Sequence, residues 1–216
     1  MPLTDQTAVE CRELASRYPQ ARSALLPMLH LVQSEEGMIT SAGIELCAEI
    51  LDLTTAEVTA VATFYTMYRR KSIGGTHHIG VCINTLCGLL GGDAVYEALS
   101  RRLGVGHNET TPDGEFTLER IECQAACTHA PVMTVDWEFF DQMTIDAAMQ
   151  VIDDLEAGRE VLPTRGPAVR GWRAAERTVA GLDDGLADEA GGADALMLAG
   201  LTVAKERGMT TPGKAD

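Results

Sequence analysis

Four of the six cysteines fall in two local pairs: Cys82 and Cys87 in VCINTLC, four residues between them, and Cys123 and Cys127 in ECQAAC, three between them. Thiolates bind metals, attack electrophiles and exchange disulfides, so three chemistries compete for these positions. Structural zinc accepts four thiolates in a tetrahedron, but zinc knuckles usually place two residues between paired cysteines. A dithiol redox centre also favours Cys-x-x-Cys, at a helix N-terminus. A [2Fe–2S] cluster contains two irons, each needing two thiolates, and two separated pairs suit that demand. Wider spacing also leaves room under each loop for bridging sulfides. The spacing favours the binuclear cluster and leaves zinc and dithiol chemistry open.

The flanking residues are compatible with a close wrap. Cys87 is followed by GLLGG, where glycine lets backbone N–H groups approach a cluster's sulfurs. Gly91 and Gly92 read equally well as the start of a helix. Ala125, Ala126 and Ala130 are small, and Pro131 stiffens the exit from the second loop. No Rossmann or P-loop spacing is present. The remaining cysteines, Cys11 and Cys47, lie on apolar faces of predicted helices and read as small buried hydrophobes.

The elements that must position the pairs come from periodicity. Cys11, Leu14, Ala15 and Tyr18 recur at helical spacing, with Pro19 as the stop. Leu25, Met28, Leu29 and Val32 repeat the pattern up to Gly37, and Pro27 is tolerable if it sits in the first turn. Ile44, Cys47, Ala48 and Leu51 mark a third helix. Thr54 and Glu57 stand in capping-box spacing ahead of a fourth, carrying Val58, Val61, Ala62 and Tyr65. Four such helices predict an N-terminal helical bundle over residues 1–72.

From residue 73 to 162 the pattern alternates. HHIGVC reads as a strand, Asp93–Leu103 as a helix, and FTLERIEC as a half-buried strand. PVMTVDWEFFDQM reads as two strands around a turn at Asp136 and Trp137, and Thr144 caps a last helix that ends at Gly158. The order β, α, β, hairpin, α predicts an α/β (α+β) unit of thioredoxin-like arrangement. Both cysteine pairs then follow strands, at the sheet end where ligands gather in open α/β folds. Residues 163–216 are rich in Gly, Ala, Asp and Glu and nearly free of aromatics, which predicts a largely disordered tail. Arg69, Arg70 and Lys71 read as a solvated linker. His77 and His78 read as surface or satisfied histidines, and Trp137, Phe139 and Phe140 as core packing on the hairpin.

Composition narrows the partners. The 216 residues include 17 Lys plus Arg against 32 Asp plus Glu, a net charge of −15. Such acidity argues against nucleic acid and against anionic membranes. No apolar run reaches the roughly 18–20 residues of a bilayer span, so no direct membrane insertion is expected. The N-terminal residues lack a signal-peptide pattern, which predicts a cytoplasmic protein.

Taken together, Cys82-x4-Cys87-x35-Cys123-x3-Cys127, set among LLPMLHLVQSEEGMI, AEVTAVATFYTMY, CINTLCGLLGG and ECQAACTHAPVM, resembles the thioredoxin-like [2Fe–2S] ferredoxin family. Within it the sequence is most similar to the members found in NADH-quinone oxidoreductase, the bacterial counterpart of mitochondrial complex I. The resemblance runs from about Tyr18 to Leu162. It implies one [2Fe–2S] cluster, with Cys82 and Cys87 on one iron and Cys123 and Cys127 on the other. It implies single-electron transfer to or from FMN on a partner flavoprotein chain that also holds the NADH site. Other peripheral-arm subunits and a place on the cytoplasmic side of the inner membrane follow from the same resemblance. No complete active site is expected in this chain. Related chains occur in NAD-linked hydrogenases and formate dehydrogenases, so the host complex stays open, and a zinc-stabilised binding module is the alternative of another class.

Overall fold

In the computed structural model, which describes residues 3–71, 75–186, 189 and 191–209, the N-terminal helices form as their caps dictate. Helix α1 (Asp5–Ser16) opens at Thr4, whose hydroxyl accepts from the Thr7 backbone while Thr7 answers in kind. Helix α2 (Leu25–Glu36) carries Pro27 in its first turn, where a missing N–H costs nothing, and ends at Gly37 with φ 77°. Helix α3 (Ser41–Leu51) is capped by Thr40, and α4 (Thr55–Phe64) by the Thr54–Glu57 box. Tyr18 and Tyr65 fall just outside their helices and are exposed. The apolar faces meet in a core of Leu14, Met28, Leu29, Leu31, Val32 and Val58, with Cys11 and Cys47 fully enclosed. Burial, with Glu10 nearby, pushes the Cys11 thiol up to about 12, and burial raises Cys47 further still. These two thiols are inert packing.

The sheet comprises β1 (His77–Cys82), β2 (Glu109–Thr110), β3 (Phe116–Ile121), β4 (Met133–Val135) and β5 (Glu138–Phe140) in the order β2-β3-β1-β4-β5. Strand β1 runs parallel to β3 and antiparallel to β4, so Cys82 stands opposite Ile121 at the sheet's upper end. Helices α5 (Thr85–Leu89) and α6 (Gly92–Leu103) follow β1, and α7 (Ile145–Glu156) follows the hairpin. Ile79, Val81, Leu99, Phe116, Leu118, Met133 and Ile152 fill the core around the sheet. The order read from the sequence is present, with α5 and β2 added. Both are too short to carry a period.

Three expectations change. Strand β3 is buried on nearly its whole length rather than half, because Glu119 has partners. One of these is Arg69, which is not a solvated linker residue: its guanidinium bonds Glu119, touches His78 Nε2 at 3.0 Å and reaches Asn108 Oδ1 at 3.0 Å. Residues 72–74, which follow that linker and include the expected boundary at 72, lie outside the described residues. Burial works against ionisation of Glu119, but His78 and Arg69 outweigh it and hold the carboxyl at about 2.

The third change concerns the acidic tail. Its first part is ordered: helix α8 (Trp172–Val179) packs on α2, burying Trp172 and Glu176, and Ala180 and Leu182 join the bundle core. Composition misled because the docking rests on one buried aromatic and on polar side chains: Arg173 donates to the Glu35 carbonyl, and Arg177 donates to the Glu35 and Glu10 carboxylates. Glu176 Oε2 lies 2.7 Å from His30 Nδ1 and accepts from Gln33 Nε2 at 3.0 Å, and its Oε1 accepts from Trp137 Nε1 at 2.8 Å. One carboxylate thereby joins the bundle, the hairpin turn and α8. Helix α9 (Ala195–Glu206) follows with no buried residue; residues 210–216 lie outside the described set. Among the described residues no helix is long and apolar enough to cross a membrane.

Candidate metal centre

The four paired cysteines meet at the upper end of the sheet, but the two pairs sit in unlike surroundings. Cys82 is the last residue of β1, its N–H bonded to the Val132 carbonyl at 3.0 Å. Ile83 N–H then reaches the Ile121 carbonyl at 3.3 Å, so the chain keeps sheet pairing until it turns into α5. Asn84 caps that turn by accepting from the Thr85 N–H at 3.1 Å. Cys87 therefore lies on a short helix rather than in the loop expected for it. Both sulfur-bearing residues are buried, packed with Ile121, Ala126 and Val132.

This inner loop is closed tightly at Gly92. A Cβ at Gly92 would collide with the Cys82 carbonyl oxygen and lie 2.9 Å from that of Cys87. Gly91, at φ 113°, supplies the left-handed turn that lets α6 begin there. The GLLGG stretch thus closes the backbone around the cysteine pair, which explains its glycines by packing.

The outer pair is exposed. Cys123 and Cys127 follow β3 on a loop whose turn places Ala125 at φ 56°, an unusual conformation for a residue with a Cβ. That conformation aims the Ala125 N–H at Cys123 Sγ, 3.4 Å away. The Sγ atoms of Cys123 and Cys127 stand 3.6 Å apart. Two thiolates bound to one tetrahedral metal at about 2.3 Å are separated by about 3.8 Å, so the outer pair is spaced to share one metal ion. The loop returns through a 3-10 turn at Cys127–His129 and a cis Ala130–Pro131 bond. Gln142 N–H and Met143 N–H hold it through the His129 and Pro131 carbonyls at 2.8 and 2.9 Å.

The two pairs sense each other. Burial first, then the Cys82 thiol and the nearby Cys127, push Cys87 up to about 11. Cys123 raises Cys127, with a smaller contribution from Cys82. Among the described residues, however, no three His, Cys, Asp or Glu side chains converge on a point where one ion could bind. The four sulfurs are arranged as two neighbouring pairs.

Two further residues escaped the sequence reading. Asn84 Nδ2 donates to Glu122 Oε2 at 2.6 Å, tying the inner loop to the outer one. An Asn ahead of a helix signals a cap, but a five-residue helix gives no period to attach it to. His129, buried beside Cys127, places Nε2 2.9 Å from the Asp194 carboxylate, and Asp194 caps α9. The aromatic expectation divides: Phe140 is buried, whereas Trp137 is partly exposed and committed to Glu176.

Comparison with known proteins follows the same line. The family model for thioredoxin-like [2Fe–2S] ferredoxin matches residues 11–156. An NADH-quinone oxidoreductase subunit from Mycobacterium tuberculosis is 52% identical over 205 residues, covering 94% of this chain and 81% of that protein. Its counterpart from Rickettsia conorii is 39% identical over 147 residues, covering 67% of this chain and 87% of that protein. Among solved structures, an NAD+-reducing [NiFe]-hydrogenase shares the fold over 62% of this chain and 23% of its own, with a TM-score of 0.55 and 16% identity.

Proposed function

The chain belongs to the thioredoxin-like [2Fe–2S] ferredoxin family, and from that premise we propose that Cys82, Cys87, Cys123 and Cys127 hold one binuclear cluster in the electron-transfer subunit of an NADH-quinone oxidoreductase. The observation that carries the ligand assignment is the 3.6 Å separation of the Cys123 and Cys127 sulfurs, beside a second, buried pair. Cys82 and Cys87 would hold one iron and Cys123 and Cys127 the other. When bound, a [2Fe–2S] cluster supplies one-electron transfer.

The residues of the chain position that chemistry without acting as acids or bases. The Cys82–Cys87 loop is fixed by sheet hydrogen bonds and by the closed packing at Gly92, which excludes water from the inner side. The Ala125 N–H aims at the Cys123 sulfur, where a thiolate's negative charge would draw it closer. The exposed Cys123–Cys127 side is where an electron donor or acceptor can come within reach. A flavoprotein chain carrying FMN and the NADH site is the partner that this role requires, because a hydride brings two electrons at once and one-electron transfer must carry them singly. Other subunits of the peripheral arm would complete the assembly, so this chain has no complete active site of its own.

Anaerobic reconstitution tests the reading. The expected product is brown, contains two irons and two sulfides per chain, and gives an EPR signal on reduction. A colourless product that binds only zinc, and unfolds on chelation, would replace the cluster with a structural metal. Isolation of the endogenous complex, with its other subunits identified, tests the quinone-linked host against a hydrogenase or formate dehydrogenase.

A further inference from the structure

We propose that in the cluster-free chain Cys123 and Cys127 form a thiol–disulfide switch: they close to an intramolecular disulfide by exchange with a low-molecular-weight disulfide, while Cys82 and Cys87 stay reduced. The inference extends the ligand reading above to the state that precedes loading. It rests on an asymmetry of access, with the outer sulfurs already close. Cys123 and Cys127 are both exposed, and their sulfurs are already 3.6 Å apart, whereas Cys82 and Cys87 are both buried. Closure needs the two Sγ atoms to approach to a bond length of about 2.05 Å. Three residues lie between Cys123 and Cys127 on a turn free of the sheet pairing that fixes Cys82, with Ala126 alone among the three buried.

The exchange balances without other reactants. One exposed thiolate attacks a sulfur of the small disulfide, forming a mixed disulfide and releasing one small thiolate. The second protein sulfur attacks the first, breaks the mixed bond and releases the other small thiolate. The two protons of the protein thiols pass to the two released thiolates, and two electrons move from the protein pair to the reagent. The small disulfide reaches the outer pair directly but must enter a closed core to meet the inner one. Once closed, the outer pair offers no thiolate to a metal, so loading requires prior reduction. A bound cluster, in turn, occupies both sulfurs and blocks the exchange.

The sequence makes the two pairs separable by mass. Cleavage after Lys71, Arg101, Arg120 and Arg159 places Cys82 and Cys87 together in peptide 72–101, and Cys123 and Cys127 together in peptide 121–159. The full-length cluster-free protein is treated with oxidised glutathione, quenched in acid with N-ethylmaleimide, unfolded and digested. Peptide 121–159 is expected two hydrogens lighter and unlabelled, and peptide 72–101 to carry two labels. Three outcomes overturn the proposal: both peptides fully labelled, a stable glutathione adduct on 121–159, or a cross-link between the two peptides. Cluster-loaded protein treated identically is expected to yield 121–159 with both labels, and closure there would also overturn it. Failure of the reduced protein to take up iron and sulfide would instead remove the ligand reading, which the mass pattern of the cluster-free chain does not depend on.

Discussion

The two cysteine loops present the same side chain in opposite settings. The loop of Cys82 and Cys87 is continuous with the fold: one cysteine ends a central strand, the other sits on a helix, and the carbonyls of both pack against Gly92. The loop of Cys123 and Cys127 is an exposed excursion held at its base by Glu122, Gln142 and Met143. The contrast shows how one site can be both rigid and reachable. Cys82 and Cys87 are fixed in the core, and Cys123 and Cys127 remain open to solvent.

The sharpest way to break that contrast is at the outer ligands. Cys123→Ser is expected to cut iron and sulfide content by tenfold or more and abolish the visible absorption, although the residue is exposed. Cys47→Ser, in the bundle core, is expected to leave both unchanged. Iron analysis on parallel preparations checks this, and equal losses would end the division of the cysteines into ligands and packing.

Next in size is Gly92→Ala. The added methyl has nowhere to go between the Cys82 and Cys87 carbonyls, so a loss of about 2–4 kcal/mol is expected, read by urea unfolding. The lost stability should appear in the apoprotein, because the loop is built by packing rather than by the metal.

Acid tests the strands beneath the loops. Glu119 on β3 links to His78 on β1, so it joins the strand below the outer loop to the strand below the inner one. Its carboxyl is held at about 2 against an ordinary 4.5. A depressed carboxylate stabilises the fold above its unfolded value, and that contribution disappears as pH falls from 4.5 through about 2. Glu119→Gln is expected to flatten the stability profile in that window by about 2 kcal/mol, measured by denaturant unfolding between pH 5 and pH 2.

The smallest effect belongs to the outer turn. Ala125→Gly relieves the cost of a left-handed alanine while adding freedom to the unfolded chain, so stability should stay within about 1 kcal/mol. A thermal scan beside Gly92→Ala then sets the tolerant loop against the intolerant one. A large loss at Ala125 would show the outer loop to be as closely fitted as the inner.

What the sequence disclosed follows the same division between local and distant causes. The four cysteines, the bundle helices and the β1, α6, β3, hairpin and α7 order were legible because spacing and caps act within a few residues. Arg69 was misread because its partner Glu119 is 50 residues away, and a basic run between elements carries no sign of it. Helix α8 was missed because Trp172, Glu176 and the partners of Arg173 and Arg177 anchor it through distant contacts in a segment otherwise poor in apolar residues. Helix α5 was missed because five residues cannot display a 3.6-residue period.

The Glu176 junction has a consequence for the order in which the molecule is made. His30 and its carboxylate partner are 146 residues apart. At about 5–20 residues per second, synthesis separates them by on the order of 7–30 s. Throughout that interval His30 and Gln33 have emerged without the acid that completes them, and the face of α2 that α8 will cover stands open. Helix α2 is therefore made early and finished late, and a chain released before residue 176 would leave that face of α2 unsealed.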